Sequence, residues 1–563
     1  MSTKFVFVTG GVVSGLGKGI TAAALGRLLK ARGLKVRNQK FDPYLNIDPG
    51  IMSPTQHGEV FITEDGAETD LDIGHYERFT DENLGKESDI TSGMVYGDAI
   101  LRERKGFYMG TTVQVVPHII NEIKEHLFNI SRQGDPDVVI TEIGGTVGDM
   151  EGLPYLEAIR QLGYQVGREN VLYVHVTLIP YLRMAGELKT KPTQHSVAKL
   201  LSHGIQPDIL VCRTEVPLER SVREKIALFC NVDVSCVIEN RDCESVYELP
   251  LLFEREGFGK EVCRKLNIAH DAQPDLSDWE TLVARYRDAA HKIPVTLVGK
   301  YVVLRDAYLS VSEALTHAGI AFDSEIDIRW VSAEDLERGD PDALLAGSAA
   351  IIVPGGFGPR GMEGMAVAAG YARKNRIPFL GIGLGMQMAV VEFARGAVGM
   401  ARANTGECEL ECDPLFYLPA PDDTLRPTSD GSFNSANGGG IAGATVSIDE
   451  KYMRRGAYSC DIRPGTRAAE AYGTARVSER HHHRWEFDNR FRSALESAGL
   501  VFSGIDGQDR DRVDIVELAD HPWFVGTIAH PEFKSRPNRP HPLFSALIKA
   551  AVAAGQTHPV HTL

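Results

Sequence analysis

Two stretches of the sequence hold residues whose types and spacing could do chemistry. In "TGGVVSGLGKGIT", Thr9–Thr21, glycines precede Lys18 where a β-branched run gives way to a helical pattern. Successive backbone N–H groups in such a loop, with the helix N-terminus, cradle phosphate oxygens, and the lysine adds a point charge. The spacing departs from the usual loop: five residues, not four, separate Gly11 from Gly17, and Gly19 replaces the Ser or Thr that normally follows the lysine. An ordinary Gly-rich turn is the competing reading. A bound phosphate calls for a metal with hard oxygen ligands. "EDGAETDLDIGHYE" offers Glu64, Asp65, Glu68, Asp70, Asp72 and Glu77, although a solvated acidic turn would look the same. Glu142 closes the apolar run "DVVITE", and an acid at that strand end points into the crevice where ligands bind. In "ELKTKPTQHS", Lys189 and Lys191 share one face of an extended segment stiffened by Pro192, which suits a second triphosphate and equally a solvated loop.

The other stretch is "FLGIGLGMQMA", Phe379–Ala389. Strand end, Gly-rich turn and helix form the layout that raises the middle residue of G-x-Nuc-x-G into a cleft. That residue here is Gly383, which carries no nucleophile. Far along the chain from it, His530 and Glu532 stand two apart at a strand end, and alternation would send both side chains to one side.

These groups need a scaffold, and the chain has the length for two domains at 563 residues. With 43% hydrophobic and 24% charged residues it has a globular composition. The net charge of −16 argues against a general nucleic-acid or anionic-membrane binder, so anionic ligands must be held by local basic groups and backbone amides. No apolar run spans a bilayer, and "MSTKFVFVTGG" enters a strand at once, leaving no room for a signal peptide; a cytoplasmic location is expected. The eight cysteines form no C-x₂-C pair; Cys408 and Cys412, four apart, have no partner pair, so reduced thiols are expected.

"KFVFVTGG", "LKVRNQKFD", "DVVITEIGG", "NVLYVHVTL" and "DILVCRTE" read as parallel core strands, with helical patterns at Lys18–Arg32 and Gly152–Leu162. A second series runs through "IPVTLVGKY", "AAIIVPGGFG", "IPFLGIG" and "WFVGTIAHPEF". The expected fold class is α/β, two doubly wound domains at 1–267 and 293–563, joined by a linker at 268–292 in which Ser277 and Glu280 form a capping box. Thr428–Gly443, rich in Gly, Ser and Asn, reads as a mobile surface loop.

The blocks "GGVVSGLGKG", "QKFDPYLNIDPG", "QHGEVFITEDGAETDLDIGHYERF", "TVQVVPH", "EIGGTVGDMEGLPYLEA", "KTKPTQHSV" and "KIALFCNV" together resemble bacterial CTP synthase. "VPGGFGPRG", "LGIGLGMQ", "SERHHHRWEF" and "HPWFVGTIAHPEF" resemble its class I glutamine amidotransferase domain, and the likeness weakens only around Glu411–Lys451. The resemblance implies a P-loop-type synthetase domain, a ligase that transfers the ATP γ-phosphate to O4 of UTP before ammonia displaces it at C4. By that resemblance, Gly15, Leu16, Gly17, Lys18, Gly19 and Ile20 contact ATP, with Arg241, Asp242 and Cys243 at the adenine. Asp72 and Glu142 hold Mg²⁺, and Lys18 and Lys40 stabilise the moving phosphoryl group. Ser14, Asp149, Met150, Glu151, Lys189, Thr190, Lys191, Pro192, Thr193, Gln194 and Lys225 match UTP and CTP contacts; His57 matches a residue near the ammonia entry. Gly356, Leu384, Gly385, Met386, Gln387, Glu407 and Arg484 match glutamine-binding positions, with Gly355 and Gly356 in the oxyanion loop. The resemblance also implies CTP feedback inhibition, GTP activation of the glutaminase, and homotetramers able to stack into filaments.

The family's elbow carries a cysteine activated by a histidine and a glutamate; here His530 and Glu532 remain and the thiol is absent. Cys408 adjoins Glu407 but is not on the elbow. Removing the nucleophile of a comparable triad costs about 10⁶-fold, roughly 8 kcal/mol of barrier, so glutamine hydrolysis is expected to be nearly abolished. Cys→Gly is either a deliberate substitution or natural loss, and the retained partners favour the first. Amination does not pass through Gly383, so free ammonia should still give CTP, while a GTP effect on hydrolysis would have nothing to accelerate. Two other readings stand beside this one: a non-catalytic P-loop nucleotide switch, which would ignore UTP, and a filament-forming scaffold. In His481–His483, neighbours point different ways, so no metal site is expected there.

Overall fold

The computed structural model describes residues 3–269, 273–408, 412–417, 453–555 and 558–559. The Thr428–Gly443 segment lies outside them. The chain divides into two compact units, Met1–Ile51 with Glu68–Val283, and Met52–Ala67 with Ala284–Leu563. That division differs from the boundaries expected at 267 and 292 in two ways. Residues 52–67 leave the first half of the sequence to join the second unit. The expected linker is largely the helix Ser277–Arg287, whose Trp279, Leu282 and Val283 are buried. Trp279 Nε1 donates to the Tyr247 carbonyl at 2.6 Å, fixing the first turns of the helix within the first unit. No capping box forms at its start: Asp275 Oδ1 accepts from Ser277 N–H and Ser277 Oγ instead.

The first unit is built on seven parallel strands: β1 (Lys4–Gly10), β2 (Val36–Asp42), β3 (Asp89–Thr91), β4 (Val138–Ile143), β5 (Val171–Leu178), β6 (Ile209–Thr214) and β7 (Val237–Arg241). Their order is β7-β6-β5-β1-β4-β2-β3. β1 pairs in parallel with β4 and β5, so the reversal of strand order falls beside it and the loop after β1 opens at the switch point. Unbroken burial along β1, β4 and β5 matches strands covered on both faces. The Ala- and Leu-rich helix α1 (Lys18–Ala31) follows that loop; α2 (Leu71–Thr80) packs beside it, and α3 (Lys191–Ser202) follows β5.

The second unit holds β8 (His291–Gly299), β9 (Ser324–Ser332), β10 (Ala350–Val353), β11 (Phe379–Ile382), β12 (Arg454–Ile462), β13 (Arg476–His483), β14 (Leu500–Asp506), β15 (Val513–Leu518) and β16 (Phe524–Thr527) in the order β9-β8-β10-β11-β16-β15-β14-β12-β13. From β9 to β16 the pairing is parallel, and beyond β16 antiparallel. The elbow therefore rises from β11, inside the parallel half. Among the described residues, no helix is long and apolar enough to cross a membrane.

Candidate active sites

In the first unit, Gly15 and Gly17 take φ of 71° and 85°, left-handed values that glycine adopts freely, and these turn the loop into α1. Lys18 folds back over the loop: a Cβ on Gly10 would lie 2.6 Å from Lys18 Cδ, and Lys18 Nζ donates to the Gly145 carbonyl at 2.8 Å. The irregular Gly19 has a physical reason. A Cβ there would lie 2.0 Å from Asp72 Oδ1, so the Asp72 carboxylate already fills the space a Ser or Thr side chain would take.

Of the acidic run, only part enters this site. Lys40 Nζ donates to Asp70 at 2.7 Å and Asp72 at 2.8 Å, and lies 3.4 Å from Asp42. Glu64 and Asp65 belong to the second unit, while Glu77 accepts from Leu84 N–H. Glu142 accepts from Tyr76 Oη at 2.5 Å, and burial followed by the Asp72 charge pushes its carboxyl up to about 7. Burial opposes ionisation of Asp72 as well, but Lys40 outweighs it and holds that group at about 2. Lys40 is itself buried, yet Asp42, Asp70 and Asp72 raise its pKa well above the usual lysine value. The centre therefore holds a fixed cation between carboxylates of unequal acidity, an arrangement typical of reaction centres.

The matched nucleotide-contact residues surround this centre unevenly. Asp149 accepts from Thr146 N–H at 2.8 Å and Thr146 Oγ1 at 2.7 Å, and these bonds lower its pKa. Ser14, Met150, Glu151 and Lys225 are exposed. Thr190 stands just before the first turn of α3, where its hydroxyl accepts from Gln194 Nε2 at 3.1 Å rather than from a backbone N–H of the helix. Lys191 Nζ lies 5.8 Å from the Phe229 ring centroid and Lys189 pairs with Glu187. Cys243 Sγ lies 3.2 Å from the Arg241 carbonyl. Sequence reading missed Arg213, which donates to the Gly15 carbonyl at 2.9 Å and to Asp242 at 3.1 Å. It thereby ties the phosphate loop to the end of β7. Its position at the end of "DILVCRT", a C-terminal strand edge, was the available signal.

In the second unit, Gly383 sits at φ 56°, ψ −116° between β11 and the helix α4 (Leu384–Phe393), its N–H donating to the Thr527 carbonyl at 2.8 Å. The flanking glycines are forced by packing: a Cβ on Gly385 would lie 1.9 Å from the Val353 carbonyl oxygen, and one on Gly381 would lie 2.8 Å from Gly385. A Cβ built on Gly383 lies 3.2 Å from His530 Nε2. His530 Nδ1 and Glu532 Oε1 are 2.7 Å apart, which turns Nε2 toward the elbow. Strand alternation does not orient that pair, contrary to the expectation from its spacing. β16 ends at Thr527, and Glu532 lies in the 3₁₀ turn Pro531–Lys534, which folds it back onto the ring.

Glu407 accepts from Arg484 Nη2 at 2.8 Å, Trp485 Nε1 at 2.7 Å and Gly358 N–H at 2.8 Å. Thr405 Oγ1 donates to Gln387 at 2.5 Å. Gly356, Gly383, Leu384, Gln387, Glu407, Arg484 and His530 all line one cavity of about 20 Å³; Met386 and Gly385 instead pack inward. Lys300 is a further residue the sequence reading missed. It directly follows β8 in "VTLVGK", is pushed down to about 8 by burial, and its ammonium donates to the Phe357 and Gly358 carbonyls behind the glycine loop. His481 and His483 share one strand face, 3.0 Å apart, and burial drives both well below the usual histidine value. His57 lies on the exposed turn Pro54–His57, within the segment assigned to the second unit.

A phosphate-loop α/β unit followed by an amidotransferase-type elbow defines a synthetase joined to a class I glutamine amidotransferase fold. Residues 4–268 match the family described as CTP synthase N-terminus, and residues 303–550 match glutamine amidotransferase class-I. The CTP synthase of Moorella thermoacetica is 56% identical over 98% of this chain and 98% of its own, and that of Bacillus subtilis 52% identical over 98% and 99%. A solved Trypanosoma brucei CTPS glutaminase domain with bound acivicin is 32% identical, covering 46% of this chain and 94% of its own, with a TM-score of 0.39. The chain belongs to the CTP synthase family.

Proposed function

We propose that this chain aminates UTP to CTP with free ammonia and does not hydrolyse glutamine. The uracil O4 attacks the γ-phosphorus of ATP, ADP departs, and ammonia adds at C4 and expels phosphate. The hard oxygens of Asp72 and Glu142 fit Mg²⁺, with Asp72 ionised and placed against Gly19 at the loop. Bound there, the ion would neutralise phosphate charge. Lys18 and Lys40 supply fixed positive charge, and Lys40 keeps its proton because three aspartates surround it. Asp149–Glu151, Lys189–Gln194 and Lys225 are the groups for UTP, and by competition CTP; Arg241–Cys243 are those for adenine.

Loss of hydrolysis rests on one observation: the His530–Glu532 pair faces the elbow 3.2 Å from where a Cβ would stand, and residue 383 brings no thiol. A histidine without its nucleophile has nothing to activate. Glutamine binding remains with Gly356, Leu384–Gln387, Glu407 and Arg484. Exposed Leu45, Ile47, Ile51, Leu101, Phe107 and Met109 support self-association of the first unit, consistent with a homotetramer. We place the enzyme in the cytoplasm, under CTP feedback, with GTP lacking a hydrolytic reaction to stimulate.

The test is CTP formation from UTP, ATP and Mg²⁺, with ammonium chloride and with glutamine in parallel. Activity with ammonium alone is the expected result. Equal activity with glutamine would overturn the reading of Gly383, and ATP turnover indifferent to UTP would favour a nucleotide switch.

A further inference from the structure

Between the phosphate loop and α3 runs a buried chain of hydrogen bonds that the chemistry above does not use. Ser196 Oγ lies 2.7 Å from His175 Nε2, and Thr9 Oγ1 lies 2.9 Å from His175 Nδ1. The Thr9 hydroxyl donates onward to the Val174 carbonyl at 3.3 Å. Thr9 and His175 are wholly buried and Ser196 is 7% exposed. Burial, with Lys18 nearby, pushes His175 down to about 3, so the ring is neutral and has one donor and one acceptor. One direction then satisfies every group. Ser196 O–H donates to Nε2, Nδ1–H donates to Thr9 Oγ1, and Thr9 O–H donates to the carbonyl. Each proton is used once, and breaking any link leaves a buried polar atom without a partner.

The ends of this chain stand at the two nucleotide elements. Thr9 is the penultimate residue of β1, directly ahead of the phosphate loop. Ser196 lies in the second turn of α3, whose first turn carries Lys191, Thr193 and Gln194. Loop and helix also touch: a Cβ on Gly11 would lie 1.8 Å from Ser196 Oγ. The helix continues the contact through Lys199, whose Cε would lie 3.5 Å from a Cβ on Gly148, next to Asp149. A shift of either element must therefore move the other or break the chain.

We propose that Thr9, His175 and Ser196 are positioning residues that couple nucleotide occupancy of the phosphate loop to triphosphate occupancy at the N-terminal end of α3. This rests on the ATP and UTP reading above. His175 acts through the loop and the helix, not on the reacting atoms. A ligand that orders one element lowers the cost of ordering the other, and the effect is reciprocal.

The experiment is titration calorimetry of the full chain with adenylyl imidodiphosphate and Mg²⁺, at zero and at saturating UTP. The parent is expected to bind the analogue about 5-fold or more tightly with UTP present. Ser196→Ala, which deletes one oxygen, and Thr9→Val, which keeps the shape, should each bring that ratio to within about twofold of unity. Each nucleotide alone should still bind within about threefold of the parent value. The double variant should lose no more coupling than either single one, because one chain is cut in both. Should Thr9→Val fail to fold, Ser196→Ala alone carries the test. A parent ratio near unity, or an unchanged ratio in a Ser196→Ala chain that melts lower, would reduce the chain to a packing feature. Failure of the parent to bind UTP at all would instead bring down the two-nucleotide reading.

Discussion

Gly383 combines two properties that a side chain would set against each other. Its φ of 56° with ψ of −116° is a conformation that costs an L-residue about 1–3 kcal/mol. Gly383→Cys should therefore lower the unfolding free energy by about that amount while raising glutamine-dependent CTP formation by up to about 10⁶-fold. Gly383→Ala should show the same stability loss in denaturant titrations and no gain in activity, separating strain from chemistry. Gly19 yields a counterintuitive expectation. Restoring the usual loop residue with Gly19→Ser should reduce ammonia-dependent CTP formation by about 100-fold or more, because the new Cβ meets Asp72 at 2.0 Å. Steady-state rates with ammonium chloride would show it, and an unchanged rate would mean that Asp72 moves freely. Both glycines were visible in the sequence as departures from a spacing. The reason for Gly383's flanking glycines is local packing, but that for Gly19 lies in a carboxylate over fifty residues away, which spacing cannot reveal.

Elements differ in how openly their sequence declares them. The parallel strands were legible because burial on both faces demands continuous β-branched and apolar runs, as in "KFVFVTG" and "VLYVHVTL". The antiparallel extension was not. β13 reads "RVSERHHH", which looks like solvated loop, yet its last five residues are buried, with Arg480 fully enclosed. Arg480 escapes the penalty of burial by donating to Glu64 at 3.1 Å and to the Ile62 carbonyl at 2.9 Å, partners no local pattern could supply. The helix Ser277–Arg287 was legible as a helix but not as packed structure, since its Pro- and Asp-rich approach resembles a linker while Trp279, Leu282 and Val283 form a buried stripe. A similar long-range partner closes the helix Leu309–Ala321, where Glu59 accepts from both Ser310 N–H and its hydroxyl. Glu59→Ala should destabilise the second unit by about 1–2 kcal/mol in denaturant unfolding, a cap's usual contribution.

Across the whole molecule, buried groups titrate in opposing senses. His75 and His175 are pushed down to about 3, so the unfolded chain binds more protons and stability falls as pH drops below the usual histidine value. Asp89, buried beside Asp70, is pushed up to about 7; the folded state holds its proton over a range where the unfolded chain has lost it. Its contribution to stability therefore falls as pH rises toward 7, and the two classes offset each other in mild acid. Asp89→Asn should be more stable than the parent at pH 8, an advantage shrinking by about 1.4 kcal/mol per pH unit below 7. Unfolding curves across pH 5–8 would measure it; a constant difference would mean that Asp89 does not titrate there.

The passage of residues 52–67 into the second unit has a consequence measured in time. Glu64 and Arg480 are 416 positions apart, so a ribosome adding about 5–20 residues per second needs roughly 20–80 s to supply the arginine. Throughout that interval Phe61 and Glu64 have emerged without the Phe533 and Arg480 they finally meet, and Glu59 waits 251 residues for Ser310. The second unit thus stays incomplete unless an early stretch of the nascent chain remains uncut until its partners are made. A gene divided between the halves would have to deliver that stretch along with the later one.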